Sequence, residues 1–306
     1  MKRVKVAYYS GTGGTARIAQ CFSNEFAQQG FEVDLERIRS GDGHTDALNE
    51  YDLLVLVTVV HDFCIPHQVL LWIDTIECSH RLETAVFSVS GGGEVLPNRA
   101  ARKKPIKMLE GRGITVNYED MFIMPCNYMF KTNDVVAAME MAAYPALTAD
   151  ATKRIIAGEK RRTKVPKIDS LVAKAMQNAW KRGRKFGRSI EVLDSCNGCA
   201  LCVKTCHASN ISIDKNTEKP IFSNHCTVCL ACFYACPQSA LKPGREKYAV
   251  LKDGFNLDQL QPLPISHEDW GRVDVLCRGI LWSGLNPYLS RARSLLVDQE
   301  NQKTAD

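Results

Sequence analysis

Eight cysteines fall in two runs, Cys196-x2-Cys199-x2-Cys202-x3-Cys206 and Cys226-x2-Cys229-x2-Cys232-x3-Cys236. Three thiols at two-residue intervals wrap a loop around three corners of a cubane, and a fourth beyond a helical turn reaches a second cluster. The spacing therefore predicts two [4Fe–4S] clusters with crossed ligation. Cys196, Cys199, Cys202 and Cys236 would hold one, and Cys226, Cys229, Cys232 and Cys206 the other. The repeated spacing implies a pseudo-twofold module. Structural zinc is the alternative, but its sites usually draw one Cys-x2-Cys pair from each of two separated loops, and eight dense thiolates fit cubanes better. His207 follows Cys206 where Pro237 follows Cys236, a departure that removes no ligand.

A second chemical signal lies at the other end of the chain. Ser10-Gly11-Thr12-Gly13-Gly14-Thr15 sits between an apolar run and a helical pattern. Gly11, Gly13 and Ala16 also satisfy G-x-G-x-x-A, and Glu36 lies where a ribose-binding acid of a dinucleotide fold would sit. The hydroxyls of Ser10, Thr12 and Thr15 decide against that reading. Three side-chain donors in one turn, with the backbone N–H groups of a helix start, suit a terminal phosphate monoester. A pyrophosphate crossing the turn needs bare glycines. No Gly-Lys-Ser/Thr follows, so the turn is not an ATP-type P-loop.

With Tyr8-Tyr9 before it, this turn resembles the phosphate loop of flavodoxins. Residues 1–245 resemble the flavodoxin–ferredoxin fusion proteins of anaerobic bacteria, with further matching pieces at Val59–Pro66, Ser90–Gly93 and Met124–Tyr128. The resemblance implies FMN held by Ser10, Gly11, Thr12, Gly13, Gly14 and Thr15. A second loop, Val59, Val60, His61, Asp62 and Phe63, would lie along the flavin. Ser90, Gly91, Gly92 and Gly93 would offer backbone groups to its ring, with Asn127 and Tyr128 at its edge. The family's second loop usually opens Pro-Val-Tyr. Here it opens Val59-Val60-His61, so stacking falls to His61 or Phe63. His61 and Tyr128 are the candidate catalytic proton donors. The alternatives are an ordinary loop histidine and a packing tyrosine, and Asp62 reads as a solvated loop acid.

The elements that must position these residues follow from periodicity. Residues 4–9, 31–38, 53–60, 84–89 and 114–124 read as strands, with helices after the first, third, fourth and fifth, the last of them over Thr132–Tyr144. Strands alternating with helices imply an α/β fold with a flavodoxin-like, doubly wound, five-stranded parallel sheet, whose ligands bind at the carboxyl ends of the strands. A small α+β two-cluster ferredoxin-like domain would follow. The expected division is 1–150 for the FMN domain, 151–190 for a basic helical linker, 191–245 for the cluster domain and 246–306 for an extension. That extension would carry a short helix over Val273, Leu276, Cys277, Ile280 and Leu281, and a disordered end.

Charge and composition bound the rest. Residues 151–188 carry 13 Lys and Arg against two acids, a local net of +11 that leaves −6 for the remainder. Ile168, Leu171, Val172, Ala175, Met176 and Ala179 share one face of this basic segment. A solvated connecting helix with its apolar stripe packed down ranks ahead of peripheral membrane contact or an acidic redox partner. No nucleic-acid motif is present. Thirteen cysteines without a secretory leader favour reduced thiols and a cytoplasmic location. The five cysteines outside the runs read as small buried hydrophobes. Together these features predict an electron-transfer iron–sulfur flavoprotein, passing electrons between two clusters and FMN and exchanging them with redox partner proteins. Two alternatives stand beside it. One is an FMN-dependent reductase of a small organic substrate fed by its own ferredoxin part, and the other a redox-sensing regulator.

Overall fold

The computed structural model describes residues 1–39, 47–176, 179–260, 265–279 and 282–305. Its first half alternates β1 (Arg3–Tyr9), α1 (Gly14–Gln28), β2 (Glu32–Arg37), β3 (Leu53–Val59), α2 (His67–Thr75), β4 (Glu83–Ser90), α3 (Lys103–Gly111), β5 (Thr115–Ile123) and α4 (Asp134–Ile156). The five strands pair in the order β2-β1-β3-β4-β5, every pair parallel. This is the flavodoxin-like order, whose reversal of direction between β1 and β3 opens a crevice at the carboxyl edge.

The two faces of the sheet follow from the period of two along each strand. Val4 and Val6 of β1, Val55 and Val57 of β3 and Phe87 of β4 share one core with Ile18, Phe22 and Phe26 of α1 and Met139, Ala143 and Leu147 of α4. Ala7, Leu54, Leu56 and Val86 face the other way, onto Val69 and Ile73 of α2 and Ile106 and Leu109 of α3. Phe22, Phe87 and Phe122 meet with ring centroids 4.4 to 5.7 Å apart.

The chain continues through α5 (Lys167–Met176), α6 (Ala179–Arg188), β6 (Ile190–Val192), α7 (Leu201–Thr205), β7 (Ile211–Ile213), β8 (Pro220–Phe222), α8 (Ala231–Tyr234), β9 (Leu241–Pro243), α9 (His267–Gly271), α10 (Val273–Leu276) and α11 (Leu285–Ala305). β6 with β9 and β7 with β8 make two small antiparallel ribbons. Phe186, Ile190, Ile211, Leu230, Phe233 and Leu241 form their shared core.

Three regions depart from the sequence expectation. α4 runs past Tyr144 and through Pro145 to Ile156, capped at its start by the Asn133 side chain on Val135 and Val136. In α5, Ile168 and Leu171 are exposed, while Asp169 is buried and pairs with Arg99 at 2.7 Å. The expected apolar stripe therefore does not face inward there. Arg161 and Arg162 pair with Asp120, Glu119 and Glu110, so two of the thirteen basic side chains of this segment are neutralised by the first domain.

The C-terminal extension is the third. Val273, Cys277, Leu285, Tyr288, Leu289 and Ala292 belong to the same core as α1 and α4. Tyr288 donates to the Ile123 carbonyl at 3.4 Å, and Arg291 reaches buried Asp120 at 2.8 Å. α11 is thus part of the first domain's helical layer and continues to Ala305, through the segment expected to be disordered. Ile280 and Leu281, expected in the short apolar helix, lie outside the described residues. Leu289→Ala, at a position with no exposure, is expected to cost about 2–5 kcal/mol, read as a lower midpoint in urea unfolding.

α4 also carries a charge problem. Glu140 is fully buried and neither carboxyl oxygen has a hydrogen-bond partner among the described residues. Burial holds its carboxyl well above the usual carboxylate range. In the pH range where the unfolded chain has released this proton and the folded chain has kept it, stability falls as pH rises. Glu140→Met is expected to remove that fall and to raise stability in mildly alkaline buffer by about 1–3 kcal/mol. Urea unfolding of both proteins across a pH series checks it.

Candidate functional site

The turn after β1 has the form a phosphate loop needs. Gly13 precedes α1 with φ +100°, a left-handed conformation that costs glycine little. Ser10 and Thr15 are buried, and Ser10 Oγ has no hydrogen-bond partner among the described residues. An orphaned hydroxyl at the start of a helix fits an oxyanion, since the helix N-terminus adds free N–H groups and a positive dipole end. Thr12 Oγ1 accepts a hydrogen bond from Asn127 Nδ2 at 3.0 Å.

That turn is covered by the cysteine-rich half. A Cβ on Gly11 would lie 2.8 Å from Cys229 Cβ. Asn127 Nδ2 also donates to the Cys229 carbonyl at 3.2 Å, and the Asn127 carbonyl accepts from Tyr234 Oη at 2.7 Å. Tyr9 Oη lies 3.4 Å from Thr227 Oγ1. Asn127 therefore ties the two halves together across the crevice, a role its place after β5 did not reveal.

The loop after β3 is a tight two-residue turn. His61 and Cys64 exchange backbone hydrogen bonds of 2.9 Å, with Asp62 and Phe63 both at positive φ. Both central residues in the left-handed region make a type I′ geometry, which aspartate tolerates better than phenylalanine. Val59 and Val60 lead into it, and Val60 N–H donates to the Val89 carbonyl at 2.8 Å. Phe63 is partly exposed. The His61 ring meets the Thr227 backbone, and burial pushes its imidazole down to about 4. Its Nδ1 has no partner among the described residues.

Asp62 is not a freely solvated acid. It lies 3.5 Å from Arg182, and burial raises its carboxyl above the ordinary value. Arg182 also holds Glu246 at 3.0 Å, and Tyr128 Oη donates to that same carboxylate at 3.4 Å. Tyr128 is thus a structural link in a polar chain between the halves.

Ser90, Gly91, Gly92 and Gly93 follow β4 at the same carboxyl edge of the sheet, where the Ser90 carbonyl accepts from Met124 N–H at 3.1 Å. Gly93 N–H donates to Ser90 Oγ at 2.9 Å, and a Cβ on Gly91 would sit 2.9 Å from Cys126 Cβ. Gly284 packs on Gly92 and Gly93, so the C-terminal extension covers this loop. The structure thus joins the turn after β1 to Asn127, sets His61 against Thr227, and covers the glycine run with the C-terminal extension.

Between the His61 turn, α2 and the segment before α8 lies a cavity of about 630 Å³. His61, Gln68, Leu71, Asn224 and Val228 are in its wall. Gln68 is buried, and its Nε2 donates to the His225 carbonyl at 3.0 Å.

The eight cysteines sort into two sets of four. Cys206, Cys226, Cys229 and Cys232 line one cavity of about 20 Å³, and Cys196, Cys199, Cys202 and Cys236 line another of the same size. All are free, and burial pushes the thiol of half-buried Cys226 up to about 12. The expectation of two [4Fe–4S] clusters is corrected here. A metal ion needs several donors converging on one point, about 2.3 Å away for thiolate. Among the described residues no group of three or more His, Cys, Asp or Glu is placed to hold a metal ion. With that go the ferredoxin-type metal architecture and the iron–sulfur relay, neither of which the structure shows. The remaining cysteines are only partly as expected, with Cys277 buried and Cys21, Cys64, Cys78 and Cys126 half-buried.

Arg102 escaped the sequence reading. It is fully buried, donating to Glu119 at 2.8 Å, Ser88 at 2.7 Å and Thr163 at 2.8 Å, and pairing with Glu94. Within Arg-Lys-Lys it looks like any surface base, and its partners are distant in sequence.

No family model matches the chain, and no curated protein matches it. Among solved structures it is similar to oxidised flavodoxin 1 from Bacillus cereus, at 21% identity over 40% of this chain and 84% of that one, with a TM-score of 0.34. A flavodoxin from the domain Archaea is 15% identical over 51% of this chain and 99% of its own, at 0.35. An azoreductase from Bacillus anthracis str. Sterne is 11% identical over 50% and 100%, at 0.38. The strand order carries the fold assignment by itself. Among the described residues no helix is long and apolar enough to cross a membrane.

Proposed function

We propose that this chain is an FMN-dependent reductase of a small organic molecule. The observation that carries the reading is the buried, unpartnered Ser10 hydroxyl in a phosphate-shaped turn at the sheet's switch point. Thr12, Thr15 and the N–H groups at the start of α1 complete a donor set suited to the FMN phosphate. FMN supplies reversible transfer of one or two electrons when bound. The electrons come from a reduced redox-partner protein, and the organic acceptor takes up two electrons and two protons.

The protein's own contribution is placement. Asn127 links Thr12 to the Cys229 carbonyl and so fixes the phosphate turn against its cover. The cavity beside His61 is of the size of small-molecule sites. His61 is neutral at physiological pH, so it acts there as a hydrogen-bonding group that orients the acceptor. Tyr128, committed to Glu246, holds the loop arrangement.

Anaerobic stopped-flow reoxidation tests the reading. Protein carrying reduced flavin, mixed with quinone, nitroaromatic and azo compounds, should reoxidise in a saturable way with at least one class. Slow, non-saturable reoxidation by every compound, with rapid reoxidation by a partner protein, would identify a carrier instead.

A further inference from the structure

We infer that the outward face of α5 is a docking surface for a lipid bilayer rich in anionic headgroups. The inference does not depend on flavin binding or on the reductase reading.

α5 is held to the first domain by its polar side. Asp169 is fully buried and pairs with Arg99 at 2.7 Å, and Ser170 Oγ accepts from Lys103 Nζ at 2.7 Å. The helix packs there on residues Asn98–Ala100. Ile168 and Leu171, three residues apart, share a face, and anchoring by Asp169 turns that face outward. Ile168 is 57% exposed and Leu171 65%. An ordinary surface helix does the reverse, packing its aliphatic residues and leaving its acid in water.

Charge decides what covers this aliphatic ridge. Lys164, Lys167 and Lys174 are exposed, and none has an ion pair among the described residues. Lys167 and Lys174, seven residues apart, lie along one flank of the ridge. Between Lys160 and Ile190 the sequence has Asp169 as its only acid. That acid faces inward, so α5 turns no carboxylate towards an anionic surface.

An anionic bilayer matches this arrangement. The aliphatic side chains can enter the acyl boundary while the lysine stems let their ammonium groups reach headgroup phosphates. Apolar contact and basic charge are the two signals that reversible anchoring combines. An acidic protein is the poorer match, since protein interfaces favour aromatic residues and arginine and disfavour lysine. α5 carries neither arginine nor an aromatic ring, and Arg161 and Arg162 before it pair with the first domain.

Co-sedimentation of the full chain with vesicles tests the surface. Vesicles of equimolar phosphatidylcholine and phosphatidylserine should bind it about tenfold or more tightly than phosphatidylcholine alone, and added salt should weaken that binding. Ile168→Ser with Leu171→Ser should weaken binding to the mixed vesicles about tenfold or more, and Lys167→Gln with Lys174→Gln by a similar factor. All four side chains are exposed, so the urea midpoint should stay near that of the parent. Lys185→Gln with Arg188→Gln removes the same charge from exposed positions of α6 and should weaken binding far less. Equal binding to the two vesicles, no binding to either, or mixed-vesicle binding that survives the serine pair would overturn the inference. So would equal losses from the α5 and α6 charge pairs. Tighter binding to poly-glutamate than to mixed vesicles would also overturn it, in favour of an acidic protein partner.

Discussion

The Thr12→Ala, Thr15→Ala double variant is expected to lose FMN while remaining folded. Each hydroxyl donates to a charged phosphate oxygen in the proposed complex, and hydrogen bonds to charged groups contribute about 1.5–3 kcal/mol each. Together they predict an affinity loss of about 100-fold or more. The fold should tolerate the change because α1 follows Gly13 without any side-chain cap. Thr12 does accept from Asn127, so a small loss of stability accompanies the loss of flavin. Flavin fluorescence quenching on titration into apoprotein reads the affinity, and circular dichroism reads the fold. Undiminished affinity would move the phosphate away from this turn.

The second large effect concerns stability. Arg102→Leu is expected to cost about 3–5 kcal/mol, because it strands a buried carboxylate whose cation has gone. Glu119 is that carboxylate. It is almost fully buried, takes the Arg102 bond at 2.8 Å, and keeps only the backbone of Thr163 and a longer contact to Arg162. Arg102→Lys retains charge but lacks the planar fork that reaches Glu119, Ser88 and Thr163 together, so it should fall between the two. Guanidinium unfolding of the three proteins gives the order. Equal stability of Arg102→Leu and the parent would mean the network contributes nothing.

How much of this was legible in the sequence depends on the range of the interaction. The strands were readable because their apolar residues alternate or run unbroken, and that pattern is local. The phosphate turn was readable because three hydroxyls and three glycines fall within six residues. α11 was readable and was missed: Leu285, Tyr288, Leu289 and Ala292 have helical spacing, but they sit among polar residues near the terminus. α4 was cut short at Tyr144-Pro145, though a proline forfeits one hydrogen bond and tertiary packing of Ala146, Leu147 and Ala151 outweighs it.

Other features had no local signal. Arg161 and Arg162 look like linker charge until β5 brings Glu119 and Asp120 beside them. The cover over the phosphate turn joins Gly11 and Thr12 to Asn127 and Cys229, residues more than a hundred positions apart. Cysteine spacing predicted the sorting into two sets of four, and the cavities they line have that membership. Spacing could not show where the sulfurs point, and the metal centres inferred from it are what the structure corrects.

The central claim is that the turn from Ser10 to Thr15 binds the phosphate of FMN. Equilibrium titration of the apoprotein with FMN, riboflavin and inorganic phosphate tests it most directly. Saturable binding of one FMN per chain is predicted, with riboflavin much weaker and phosphate competing. Equal binding of FMN and riboflavin, or no saturable binding of either, would contradict it.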